Sequence, residues 1–128
     1  MAFRVQQIDP CRVFVRDIDA AIRWYSETLE LQEFVRWKLE PVMTGSGGTM
    51  LALFQAKQDS ANRSTGKETA PGWHRVAWRT DRQGFEQAQE HLSRLRIRFR
   101  GPIDHGRSHS IYFEDPDGNF VEITHNLE

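Results

Sequence analysis

The chain has 128 residues, 17 Lys and Arg against 18 Asp and Glu, one Cys, and 38% hydrophobic content that includes four Trp and eight Phe. This length suits one domain, or two small modules sharing a core, and the balanced charge gives no argument for nucleic acid or an anionic membrane as a partner. No apolar run reaches membrane-spanning length, the start Met1-Ala2-Phe3-Arg4 lacks the apolar region of a signal peptide, and a lone Cys11 excludes an internal disulfide, so a cytoplasmic location is expected.

Residues 11–17 alternate, with Cys11, Val13 and Val15 on one face and Arg12, Phe14 and Arg16 on the other, which predicts a strand. Asp17 or Asp19 then caps a helix whose stripe is Ile18, Ala21, Ile22, Tyr25 and Leu29. Trp24 and Tyr25 read as helix-to-sheet packing. Extended segments are predicted at Glu33–Leu39 and, after a turn at Gly45–Gly48, at Thr49–Gln55. Ala56–Gly72 is rich in Lys, Ser, Thr, Asn and Gly and reads as a solvated linker or loop.

The second half replays this order. Arg75-Val76-Ala77-Trp78-Arg79 echoes Arg12-Val13-Phe14-Val15-Arg16. Asp81 sits where a cap belongs, and Phe85, Ala88, Leu92 and Leu95 make the next helical stripe. Arg96–Arg100 alternates with Ile97 and Phe99 on one face, predicting a strand. Each half therefore reads as strand, helix and three strands. The expected organisation is a single domain over 1–128, with module one at about 1–57, a linker at about 58–70 and module two at about 71–128.

The richest stretch comes last. Ile103-Asp104-His105 precedes Ile111-Tyr112-Phe113-Glu114-Asp115-Pro116-Asp117-Gly118-Asn119-Phe120-Val121-Glu122. Pro116 presets φ for a turn, and Gly118 with Asn119 tolerates positive φ, so two strands joined as a hairpin are predicted. Beyond the turn, Phe120, Glu122 and Thr124 share one face and Val121 and Ile123 the other. Glu122 thus points away from the core that its neighbours build, into solvent or into a cavity.

This hairpin resembles that of the vicinal-oxygen-chelate superfamily, which holds glyoxalase I, bleomycin-resistance proteins, fosfomycin-resistance enzymes and extradiol ring-cleaving dioxygenases. There the aromatic-x-Asp-Pro-Asp-Gly-Asn-x-x-Glu pattern ends in a metal-ligating Glu, which corresponds to Glu122. The spacing from His105 through Tyr112 to Glu122 also resembles the longer extradiol signature. The helix sequence Ile18 to Tyr25 is similar to the family's first helix. The resemblance implies an α+β glyoxalase-like fold of two tandem βαβββ modules, with two curved sheets around a central cleft.

The resemblance also implies four metal-ligand positions, and three depart from the pattern. The first, a His opening strand one, is occupied by Pro10 after Ile8-Asp9. The second falls by register on Ala52, which has no donor atom. The third, a His before a Val-Ala-aromatic strand, is Arg75. A single carboxylate does not hold Zn or Fe, which take three or more protein donors, and Arg75 repels a cation. Arg75 and Glu122 are expected to pair with each other instead. No cofactor is therefore expected. The alternative is a divalent metal with ligands rearranged around Glu122, and His74, rotated inward by a β-bulge, is its nearest candidate donor. His109 and His125 read as surface or rim residues.

The expected ligand-binding residues are Arg12, Phe14, Arg75, His105, Tyr112 and Glu122. This set of guanidinium groups and aromatics suits a small, planar or anionic molecule, with Trp37 and Phe54 as further walls. The leading expectation is a metal-free binding module. The alternative is a metal-dependent lyase or extradiol-type dioxygenase. An acid–base enzyme using Glu122 ranks last, because a carboxylate held by arginine is a weak base. Strand edges in so short a chain also predict a homodimer.

Overall fold

Asp17 and Asp81 start the two helices, and each half of the chain is organised around one of them. The computed structural model describes residues 3, 4, 6, 8–36, 42–57 and 73–127. Asp17 is extended, and its Oδ1 accepts a hydrogen bond from the Ala20 amide at 3.1 Å, opening α1 (Ile18–Leu29). Asp81 Oδ1 accepts from the Gly84 amide at 2.7 Å and opens α2 (Arg82–Arg94). Each cap satisfies an amide that has no partner within its helix, an effect of about 1 kcal/mol.

The chain divides into two compact units, Met1–Ser60 and Ala61–Glu128. In the first, β1 (Cys11–Val15), β2 (Gln32–Arg36), β3 (Val42–Ser46) and β4 (Thr49–Gln55) form a sheet in the order β1-β4-β3-β2. The β1–β4 pair is parallel and the other pairs are antiparallel. Val15, Val42, Leu51 and Leu53 are buried, as are Ala21 and Tyr25 of α1. Burying a Leu contributes about 2 kcal/mol, which fixes which face of the alternating strands turns inward.

The second unit repeats the plan. β5 (Val76–Thr80), β6 (Arg100–Asp104), β7 (Ser108–Glu114) and β8 (Phe120–Asn126) run in the order β5-β8-β7-β6. β5 pairs parallel with β8, while β8–β7 and β7–β6 are antiparallel. Phe85 and Leu92 of α2 are buried, together with Ile111, Phe113, Val121 and Ile123. The result is the expected α+β fold of two tandem βαβββ units. Among the described residues no helix is long and apolar enough to cross a membrane.

Three local expectations need correction or fall outside the described residues. Arg96–Arg100 is not a strand. Leu95 caps α2, Arg96 adopts φ 60°, and the amides of Arg96 and Ile97 bond back to Ser93 and Leu92 carbonyls at 3.1 and 2.9 Å. This double closure of a helix end consumes the residues that alternation had assigned to strand, and β6 begins only at Arg100. The first unit's third strand, β3, includes Gly45, so the turn narrows to Gly47-Gly48. Trp37 and the linker at 58–70 lie outside the described residues.

Candidate functional site

Val121 and Ile123 are buried against α2's side of the second sheet, so the alternation of β8 sends Glu122 to the opposite face. The turn before β8 holds that register. Asp115, 4% exposed, accepts on Oδ1 from the amides of Asp117 at 2.9 Å and Asn119 at 2.8 Å, and on Oδ2 from Asn119 Nδ2 at 2.9 Å. Gly118 takes φ 82°, a conformation open to glycine without a Cβ penalty. The turn places Tyr112 opposite Glu122 on β7, and the parallel pairing places Ala77 opposite Glu122 on β5. Arg75, two residues before Ala77, lies on the same face.

There Arg75 Nε meets Glu122 Oε1 at 3.1 Å, and the two side chains are 26% and 16% exposed. Glu122 Oε2 accepts from Ser110 Oγ at 2.9 Å. Ser110 Oγ is also 3.0 Å from Thr124 Oγ1. With one hydroxyl proton, Ser110 donates to the charged carboxylate, the stronger acceptor, and Thr124 Oγ1 also lies within 3.4 Å of the His109 carbonyl oxygen, to which it can donate. Both carboxylate oxygens of Glu122 are thereby engaged. The Tyr112 ring has the Arg75 guanidinium carbon 4.4 Å from its centroid and that of Arg100 at 5.2 Å. Its hydroxyl is 2.6 Å from His105 Nε2.

Of the six expected ligand-binding residues, Arg75, His105, Tyr112 and Glu122 gather on this face. Arg12 and Phe14 belong to the first unit, where they line the sheet face that carries Phe54. The Arg12 guanidinium carbon is 5.6 Å from the Phe54 centroid, and the Phe14 and Phe54 rings are 6.0 Å apart. His74 is exposed, with its ring 5.7 Å from that of Phe120, and it is Arg75 that meets Glu122. His109 and His125 occupy the helix side of the sheet, beside Asp104 and Phe85 respectively. Burial pushes the Cys11 thiol up, away from the reactive thiolate.

Two residues of this face were absent from the expected set. Ser110 is fully buried and shares the face of Tyr112, a parity visible in the alternation of β7. Arg100 was hidden by its neighbour. Gly101 has φ 110°, and a Cβ there would come within 2.6 Å of the Ser110 carbonyl oxygen. The β6–β7 register shifts between Arg100 and Ile103, and Arg100 is set opposite Tyr112. The Arg100-Gly101-Pro102 sequence was the available signal for such a bulge.

The donor chemistry does not fit a divalent metal. Pro10 and Ala52 offer no side-chain donor, Arg75 is a permanent cation, and Glu122 is committed to Arg75 and Ser110. Among the described residues no group of three or more His, Cys, Asp or Glu is placed to hold a metal ion.

Two βαβββ units, each a four-stranded mixed sheet backed by one helix, define a glyoxalase-like protein. The family model described as Glyoxalase/Bleomycin resistance protein/Dioxygenase superfamily matches residues 7–123, and the chain belongs to that superfamily. It is 29% identical to metallothiol transferase FosB of Staphylococcus epidermidis over 111 residues, which cover 85% of this chain and 74% of that protein. It is 42% identical over 55 residues to biphenyl-2,3-diol 1,2-dioxygenase 2 of Rhodococcus globerulus. That match covers 42% of this chain and spans only 29% of the dioxygenase's own length. A solved glyoxalase/dioxygenase from Nostoc punctiforme shares the fold, with a TM-score of 0.82, 24% identity, and coverage of 96% of this chain and 92% of that one.

Proposed function

We propose that this protein binds a small, planar or anionic molecule on the second unit's sheet face, around Arg75, Tyr112 and Glu122, without a divalent metal on Glu122. The observation that carries the reading is the 3.1 Å Arg75–Glu122 pair, which puts a fixed cation where the resemblance expects a metal ligand. A guanidinium supplies positive charge and directed N–H donors, so such a face retains affinity for oxygen-rich or aromatic ligands. The test is elemental analysis after loading with Zn, Ni, Mn or Fe and removing the excess. Metal content is expected to stay substoichiometric and unchanged by Glu122→Ala. One tightly held metal per chain, lost on Glu122→Ala, would overturn the reading.

A metal-dependent transferase or dioxygenase is the second reading. It is favoured by the names of the two relatives and by the 2.6 Å His105–Tyr112 contact, which sits on the stretch resembling the extradiol signature. The same metal measurement separates the two.

We also propose a cytoplasmic homodimer. Phe14 on β1 is 56% exposed and Phe34 on β2 is 45% exposed, which leaves apolar surface for a second copy to cover. Light scattering at micromolar concentration is expected to give twice the chain mass, and a monomer would refute the dimer.

A further inference from the structure

Arg75 has its charge answered by Glu122, whereas Arg100 forms no ion pair with any described residue. Arg100 is exposed, and on exposure alone it would be an ordinary solvated arginine. Its backbone argues otherwise. Gly101 holds φ 110° at a place where a Cβ would meet the Ser110 carbonyl, and the register shifts at this point of β6. Bulges of this kind re-aim a side chain at some expense in regular pairing, and an observed special conformation beside a candidate site is grounds for a functional hypothesis. What the bulge delivers is a second guanidinium at the Tyr112 ring, 5.2 Å from the centroid, beside the first at 4.4 Å.

We infer that Arg100 is a specificity-determining residue of this face and that the ligand it selects is a small organic acid, whose carboxylate docks at the Tyr112 edge. The inference rests on the proposed binding site and adds the charge class of its occupant. The arithmetic of charge supports an anion. Within this cluster Arg75 and Glu122 cancel, leaving the Arg100 charge for the ligand. The fork of N–H donors on a guanidinium matches the two oxygens of a carboxylate. The Tyr112 hydroxyl, engaged with His105 Nε2, and the Ser110 hydroxyl, engaged with Glu122, are committed inside the site. Charge recognition therefore falls to Arg100.

The experiment titrates the full chain with benzoate and with its neutral isostere benzamide, followed by backbone and arginine side-chain NMR signals. Benzoate is expected to bind saturably, shifting Arg100, Arg75 and Tyr112, with benzamide about tenfold weaker. Arg100→Gln is expected to weaken benzoate about tenfold and leave benzamide unchanged, while Arg100→Lys, which keeps the charge but not the fork, falls between. Arg82→Gln on α2, remote in role from this face, controls for general surface charge and is expected to change neither affinity. Circular dichroism checks that each variant folds. If Arg100→Gln leaves benzoate affinity intact, or benzamide binds as tightly as benzoate at Arg75 and Tyr112, the charge inference fails and the binding site stands. If neither probe shifts Arg75, Tyr112 or Glu122, both fall.

Discussion

Asp115→Ala is expected to lower the stability of the protein by about 3 kcal/mol, because it strips three donors in the turn of their buried acceptor. Asp115 is 4% exposed, and its carboxylate receives the Asp117 and Asn119 amides and the Asn119 side-chain amide, all at 2.8–2.9 Å. Hydrogen bonds to a charged acceptor contribute more than neutral ones, and the donors left behind are only partly re-solvated. Asp115→Asn separates the contributions. It retains an oxygen for the two backbone amides but sets an amide nitrogen against Asn119 Nδ2, so a loss of roughly 1 kcal/mol is expected. Thermal and urea unfolding measure both. The turn also fixes the β7–β8 register that brings Tyr112 opposite Glu122, so ligand affinity should fall with stability in Asp115→Ala. A loss within about 0.5 kcal/mol, the range of an ordinary surface substitution, would show that this network does not hold the hairpin.

The second large effect concerns the ion pair. Glu122→Gln leaves Arg75 uncompensated and is expected to cost about 2 kcal/mol. A fully buried pair would lose 3–5 kcal/mol on removal of one partner, but side-chain exposures of 26% and 16% admit water and moderate the loss. Arg75→Met combined with Glu122→Leu should recover much of it, since apolar replacements of similar volume often match a partly buried pair in stability. The double variant nevertheless loses the guanidinium that lies 4.4 Å from the Tyr112 ring centroid and should bind planar ligands more weakly, whereas its preference for an anion, which rests on Arg100, should remain. The decisive quantity is the coupling in the double-mutant cycle. Strictly additive losses would mean that the pair seen at 3.1 Å carries no interaction energy, and the account of a salt bridge standing in the metal's place would fail.

The residues that were legible from the sequence share a physical cause: each lay in a short-range pattern with a single solution. Asp81 precedes an amphipathic stripe and caps α2, whereas for α1 the sequence left Asp17 or Asp19 open and Asp17 is the cap. Val121 and Ile123 leave Glu122 one face to occupy, and it occupies that face. The repeated order of elements gave the two βαβββ units, and Arg75 at the position of a lost ligand pointed to its pairing with Glu122. The residues that were not legible depend on contacts distant in the chain or on backbone geometry. Arg96–Arg100 alternates like a strand, yet the carbonyls at the end of α2 capture its amides, because a helix end leaves unsatisfied acceptors that local alternation does not reveal. Arg100 sits at the start of β6 beside a glycine at φ 110°, where a side chain would meet the Ser110 carbonyl across the sheet. By itself, then, the sequence determined the repeated order of elements, the cap of α2 and the face of Glu122, since periodicity is local, while its family resemblance supplied the fold and the departure from the metal-ligand pattern. The tertiary structure alone decided which guanidinium groups surround Tyr112 and that Ser110 closes the Glu122 carboxylate, because cross-strand register and a bulge are settled only when distant strands pair.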